Sequence, residues 1–277
     1  MRRFFIQNEI GERRSLQVRG ELFFNSPTGL GFADTNTYAH VDGFFVRTYS
    51  EPMQGSIAGE FVFGGYAAYK NFVDWVFSGY DLALGYMPGD DEYLCDIDIT
   101  SLSKGELYRG VLVCPVIMTV KTPWYRAHGI SISLAPPESA VGWSRLPFAL
   151  PAQFASSGVS SAATLIPAGH MPAAVAIEVA GKLVNPCVTL TDGAGAEIGR
   201  MDLNGVTVES GKNLVFSTRF GHVGVSVGGI DMLGKLYISN NNFFSVPQGR
   251  ASTLALGADN TITTTATVTL YEYFRSV

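Results

Sequence analysis

Ser226 sits in Gly224-Val-Ser-Val-Gly228, the spacing of a nucleophile elbow. In that motif a strand delivers the serine to a sharp turn, a helix follows, and a histidine further along the chain takes the proton. Here Gly229-Ile-Asp-Met-Leu follows, without a helical pattern. His40, His128, His170 and His222 all precede the serine. The order therefore reads as a strand bounded by turn glycines. Gly193-Ala-Gly-Ala-Glu-Ile-Gly199 approaches a dinucleotide fingerprint but is one residue too long, and it falls in a hairpin pattern rather than a βαβ unit. Asp90, Asp91, Glu92, Asp96 and Asp98 form an acidic cluster with the residue types of a Ca²⁺ site or a glycosidase carboxylate pair. Alternation along a strand accounts for Asp96 and Asp98, and turn chemistry for Asp90 and Asp91. The histidines stand singly, and Cys95, Cys114 and Cys187 are far apart with no CxxC pair. The expectation is a chain with no catalytic residues, no metal and no cofactor, and not an enzyme.

The composition points the same way. The chain has 277 residues, enough for two domains. Charged residues make up only 16%, against a usual value of about 25%. A chain so poor in charge hides apolar surface in contacts with other chains. The net charge is −5 and no basic stripe runs along the sequence, so sequence-specific nucleic-acid binding is not expected. Phe4-Phe5-Ile6 is too short for a secretion signal, and the longest apolar run, Val111 to Met118, falls short of the ~20 residues that cross a bilayer. Synthesis as a soluble cytoplasmic protein, with no membrane partner, is expected.

Short strand-like runs separated by Gly, Asn and Pro fill the first part of the chain, including Tyr38–Arg47 and Ile57–Phe63. Between residues 65 and 78 the period changes. Tyr66, Tyr69, Phe72, Val73, Val76 and Phe77 recur as one face of an amphipathic helix. Cys95, Ile97 and Ile99 alternate with Asp96 and Asp98, a strand with one wet face. Val111 to Val120 is apolar on both faces, as in a strand covered on both sides by its own domain or by a neighbouring subunit, and Pro115 within it implies a bulge or an edge. Pro136-Pro137, Pro147, Pro151 and the Ser/Ala stretch 155–163 read as connector. This places a domain boundary near residue 150, with modules 1–150 and 151–277. The second module has almost no helical period, and its short strands and turns suggest an antiparallel β-sandwich. A sandwich can bind sugar on an aromatic platform, but Trp75, Trp124 and Trp143 all lie outside this module.

Three segments carry a family resemblance. The first runs from Phe5-Ile-Gln-Asn-Glu-Ile-Gly-Glu-Arg13 through Leu22-Phe-Phe-Asn-Ser-Pro-Thr-Gly-Leu-Gly-Phe32. The second comprises Tyr66-Ala-Ala-Tyr-Lys-Asn-Phe72, Leu82-Ala-Leu-Gly-Tyr86 and Tyr93-Leu-Cys-Asp-Ile-Asp-Ile. The third holds Asn185-Pro186-Cys-Val-Thr-Leu, Val208-Glu-Ser-Gly-Lys-Asn213 and Phe243-Phe-Ser-Val-Pro247. Together they resemble the distal tail (Dit, tail hub or baseplate) proteins of long-tailed, non-contractile phages. The resemblance implies a mainly β chain, with an N-terminal ring-forming module carrying one helix and a C-terminal galectin-like sandwich. It implies a virion component at the tail tip, built as a ring of typically six copies that joins the tail tube protein to the tail-tip protein. Receptor-binding proteins attach to such rings in some phages, and DNA passes through the channel. The alternative reading is a virion protein whose sandwich binds a receptor or a carbohydrate. The interface candidates are Phe23, Phe24, Pro27, Leu30 and Phe32 in the first segment and Val111, Val113 and Val116 on the doubly apolar strand.

Overall fold

A computed structural model describes residues 2–18, 20–134, 159–238, 242–260 and 264–277. Its internal contacts divide the chain into two units, residues 1–126 with 274–277, and residues 127–273. The boundary expected near residue 150 lies outside the described residues, as does most of the connector. The Ser/Ala stretch becomes a strand from Val159 onward. The last four residues return to the first unit, which no local sequence signal announces.

The first unit contains β1 (Arg3–Asn8), β2 (Arg13–Ser15), β3 (Gln17–Val18), β4 (Leu22–Thr28), β5 (Asp34–Val41), β6 (Phe44–Pro52), β7 (Ser56–Phe63), α1 (Tyr66–Val76), β8 (Leu82–Met87), β9 (Tyr93–Leu102), β10 (Leu107–Tyr108), β11 (Val111–Val120) and the start of β12 (Trp124–Leu134). Strands β1, β8, β9, β11, β7 and β4 follow one another in an antiparallel sheet. The sheet curls on itself. Leu16 joins its two ends, its N–H donating to the Phe4 carbonyl (2.9 Å) while its own carbonyl accepts from the Phe24 N–H (2.9 Å). Alternation puts Ile6, Leu84, Cys95, Ile97, Leu112, Cys114, Phe61 and Phe63 inside. An aromatic cluster fills the centre, with Phe61 stacked edge-on to Phe24 (5.3 Å) and Phe72 (5.4 Å). Such pairs add to burial through the ring quadrupole.

The helix forms where the period predicts it. Gly65 (φ +122°) precedes it and Gly79 (φ +91°) lies just beyond it. Its buried residues are Phe72 and Trp75, with the indole N–H donating to Glu12 Oε2 at 3.0 Å. Phe77, assigned to the inner face by spacing, is 82% exposed because the helix has already ended.

The second unit comprises the rest of β12, β13 (Val159–Leu165), β14 (Met171–Ala180), β15 (Leu183–Val184), β16 (Cys187–Asp192), β17 (Glu197–Asp202), β18 (Thr207–Val208), β19 (Asn213–Ser217), β20 (Gly224–Val227), β21 (Ile230–Asp231), β22 (Ser252–Ala258) and β23 (Thr264–Phe274), which carries the chain back to the first unit. One layer pairs β21, β20, β19, β14 and β23 in that order, and the other β13, β22, β16 and β17. Val175, Ile177, Phe216 and Val268 from the first layer meet Val188, Leu190, Leu254 and Leu256 from the second in a single core. This is the expected antiparallel sandwich. Ser226 lies on β20, and Gly228 and Gly229, at φ +57° and +80°, turn the chain into β21. The elbow spacing is thus the signature of a hairpin.

All three cysteines are free. Burial, with the neighbouring Asp96 charge, pushes the Cys95 thiol far above its ordinary value, and burial with Asp202 raises Cys187. A raised thiol keeps its proton in the folded chain, whereas the unfolded thiol loses it above about pH 8.5. Stability is therefore intact below that pH and falls as pH rises beyond it, by up to ~1.4 kcal/mol per pH unit for each such thiol. At pH 8, a disulfide reagent is expected to modify Cys95 and the fully buried Cys114 only at the rate of unfolding, and all three thiols at once in denaturant. Peptide mapping that finds Cys95 modified rapidly in the folded chain contradicts this.

Candidate assembly surfaces

Among the described residues strands β5 and β6 pair only with each other. Asp42 (φ +47°) and Gly43 (φ +85°) form the two-residue turn between them. The register sets Val41 opposite Phe44 and Ala39 opposite Val46, so one face of the hairpin tip is wholly apolar. The other face carries His40 opposite Phe45, with their rings 5.3 Å apart, and Tyr38 opposite Arg47. Phe44 and Phe45 are each 74% exposed, and every residue of β6 is exposed. An isolated two-stranded hairpin is marginal in water, and three or more strands or a packing partner are needed to hold it. The C-terminal residues secure its base, where Arg275 pairs with Asp34 and stacks over Phe32 at 4.8 Å.

The second surface is the outer face of the curled sheet. Phe23, Val62 and Val113 lie in one cross-strand row, Asn25, Glu60 and Pro115 in the next, and Thr28, Ala58 and Ile117 in the third. Val113, Pro115 and Ile117 are exposed. Glu60 is the single charge in these rows and accepts from the Asn25 amide at 2.9 Å. Among the described residues strand β11 is covered by its own unit on one face only. Leu112, Cys114, Val116 and Met118 fill the unit's own core, while Val111, Val113, Pro115 and Ile117 face outward. Pro115 pairs in register with Glu60 of β7, and the ladder against β9 shifts two residues further on, between Ile117 and Met118.

The interface candidates divide accordingly. Phe24 and Val116 are buried in the subunit's own core, and a Cβ built on Gly59 would lie 2.6 Å from the Phe24 ring. Their apolar character is accounted for by the subunit's own core. Phe23 and Val113 share the outward row, and Val111 is exposed at its edge. Phe32 is 63% exposed, Pro27 is half-buried, and Leu30 is half-buried against the core with its carbonyl accepting from the Trp124 indole. The hairpin was missed because Tyr38–Arg47 reads as one continuous strand. The signal that finds it is Asp42-Gly43 between runs of strand formers.

Three of the five carboxylates in the acidic cluster are paired with cations. Arg13 makes a two-pronged contact with Glu92 at 2.8 and 2.7 Å, Arg126 reaches Asp91 at 3.1 Å, and the Tyr125 hydroxyl donates to Asp96 at 2.9 Å. Lys121 bridges Asp81 (2.9 Å) and Asp98 (3.3 Å), and its ammonium pKa is raised, first by the Asp81 hydrogen bond. Among the described residues no three His, Cys, Asp or Glu side chains gather as a metal site would require.

Residues 3–121 match the family described as distal tail protein, N-terminal domain. The first unit is a distal tail protein domain. The family the sequence resembled is thus the family found, and the matched residues include both the hairpin and the outward sheet face. No curated protein sequence matches the chain. Among solved structures, a chain of the phage P2 baseplate in its activated conformation with Ca is similar at a TM-score of 0.64 and 14% identity, covering 94% of this chain and 99% of that one. The Dit (gp 19.1) protein of phage SPP1, described as a paradigm of hub adsorption apparatus in Gram-positive infecting phages, is similar at 0.57 and 7%, covering 97% and 98%. At these identities the likeness is one of fold, and it extends over both units.

Proposed function

We propose that this chain is a structural virion protein that closes into a ring at the distal end of a phage tail, joining the tail tube to the tail-tip proteins. The observation that carries the reading is the β5–β6 hairpin, whose apolar face has no cover among the described residues. The outward sheet face, where Val113, Pro115 and Ile117 are exposed, is a second apolar surface of different shape. Two different apolar surfaces on one subunit meet the requirement of a head-to-tail contact, and such contacts close into rings when the rotation allows. The match to the distal tail domain and the baseplate fold support the same reading, and the family resemblance sets the expected count at six. Scarce charge suits large interfaces buried between copies.

Light scattering tests it directly. At about 10 µM the purified chain is expected to have the mass of a whole number of 29.8 kDa subunits, six being the favoured count. A single-subunit mass that persists at the highest soluble concentration, and in the presence of the cognate tube and tip proteins, overturns the ring.

A further inference from the structure

Glu60 is the single charge in the three outward rows of β4, β7 and β11, and Arg47 is the single lysine or arginine on β5 and β6. We propose that these two residues meet between copies: the Arg47 side of one copy's hairpin lies on the outward sheet face of the next, with the guanidinium on the Glu60 carboxylate. The inference rests on the ring proposed above and names the contact that closes it.

Neither residue has an ion-pair partner among the described residues. Glu60 is half-buried and accepts from the Asn25 amide through Oε2 at 2.9 Å, which leaves Oε1 open to a second donor. Arg47 is exposed and pairs with no described carboxylate. The neighbours of Glu60 are uncharged, with Ala58 and Val62 two residues either side on β7 and Pro115 opposite on β11. A surface laid over these rows takes the carboxylate out of water. A buried charge is tolerated only beside an opposite charge with good hydrogen-bond geometry. Whatever covers the face must therefore bring a cation to its centre. The hairpin brings a guanidinium, whose paired N–H donors match a carboxylate. It brings aromatic rings beside it. Tyr38 lies opposite Arg47 and Phe45 two residues away on the same side, 54% and 74% exposed.

The spacing agrees. Side chains on one face of a strand repeat every ~6.5–7 Å. With Arg47 over Glu60, the Phe45 ring falls one row along, on the row of Val62 or on the row of Ala58. Both rows are uncharged, so the aromatic ring lands without desolvating a second charge. The donating and receiving surfaces differ, so the contact is head-to-tail and repeats from copy to copy.

Charge reversal in the full chain, followed by sedimentation velocity, tests this. Arg47→Glu and Glu60→Arg are each expected to raise the dissociation constant per interface by at least ~100-fold, because a like pair replaces an opposite one in a covered site. Each variant alone then sediments as a single subunit where the parent assembles. An equimolar mixture of the two is expected to assemble again. Each hairpin then finds an opposite charge only on the other variant, so the copies alternate and an even-numbered ring closes. Glu60→Gln keeps the Asn25 contact and is expected to weaken assembly about tenfold. Circular dichroism checks that each variant folds like the parent, and Arg47→Glu with Glu60→Gln carries the test if Glu60→Arg does not. Single variants that assemble as tightly as the parent, or a mixture of folded variants that stays at the single-subunit mass, overturn this contact and leave the ring standing. A parent chain that never assembles, with its tube and tip proteins present, overturns both.

Discussion

Replacing Phe44 and Phe45 together by serine is expected to turn an assembling chain into a folded monomer. Both rings sit at the hairpin tip, each 74% exposed, so neither contributes to the subunit's own core. The melting temperature of the subunit is therefore expected to stay within the range of surface changes, about ±0.5 kcal/mol in stability. In the proposed ring their contribution is realised only when a second copy covers them. A Phe buries roughly 150–200 Å² at about 25 cal/mol per Å², so each ring is worth ~3 kcal/mol of contact energy or more. In a ring every interface loses both, and the dissociation constant per interface should rise by at least ~10³-fold, since 1.4 kcal/mol is tenfold. Sedimentation velocity of the variant beside the parent chain reads the effect. Retention of the parent's assembled mass places the interface elsewhere, on the outward sheet face alone.

Phe61→Ala should destabilise the first unit by about 3–5 kcal/mol, the range for deleting a buried aromatic. Phe61 is fully buried, and its ring meets Phe24, Phe63 and Phe72 at 5.3, 6.2 and 5.4 Å. Three edge-on pairs and the volume of a ring are lost together, and strand β7 cannot collapse into the gap because it is paired on both sides, to β4 and β11. Trp75 and Trp124 are buried in the same core, so urea unfolding followed by tryptophan fluorescence reports on this unit. Phe77→Ala is the matched control. The same residue type, 82% exposed, should change stability by no more than ~0.5 kcal/mol. Equal losses from the two changes would mean that the curled-sheet core is not organised around Phe61.

That contrast marks the reach of spacing. Phe72 and Phe77 both fall on the apolar stripe between residues 65 and 78, yet only Phe72 is inside, because the helix ends at Val76. Trp75 does not belong to the stripe as spaced, yet it is buried, with Glu12 accepting its indole N–H. Where polar and apolar residues alternate, as in Cys95-Asp-Ile-Asp-Ile99, the period alone assigned inside and outside correctly for Cys95 and Ile97. In Val111–Val120 no contrast exists to read. Both halves are apolar, and only pairing with β7 and β9 shows that Val116 is core and Val113 is surface.

Residue order and turn chemistry alone determined that this chain is mainly β, that one helix lies near residues 65–78, that Gly224–Gly228 is no elbow, and that the opening segments resemble distal tail proteins. These follow from short-range physics, since steric preference, hydrophobic period and motif order are all local properties. The tertiary structure decided the rest. It folded Tyr38–Arg47 back at Asp42-Gly43 into an exposed hairpin and separated Phe23 from Phe24 onto opposite faces. It also brought Arg275 to Asp34 across 241 residues, tying the hairpin's base to the end of the chain. Contacts at such separations depend on which strands pair, and strand pairing minimises exposed apolar area over the whole unit rather than over any window of sequence.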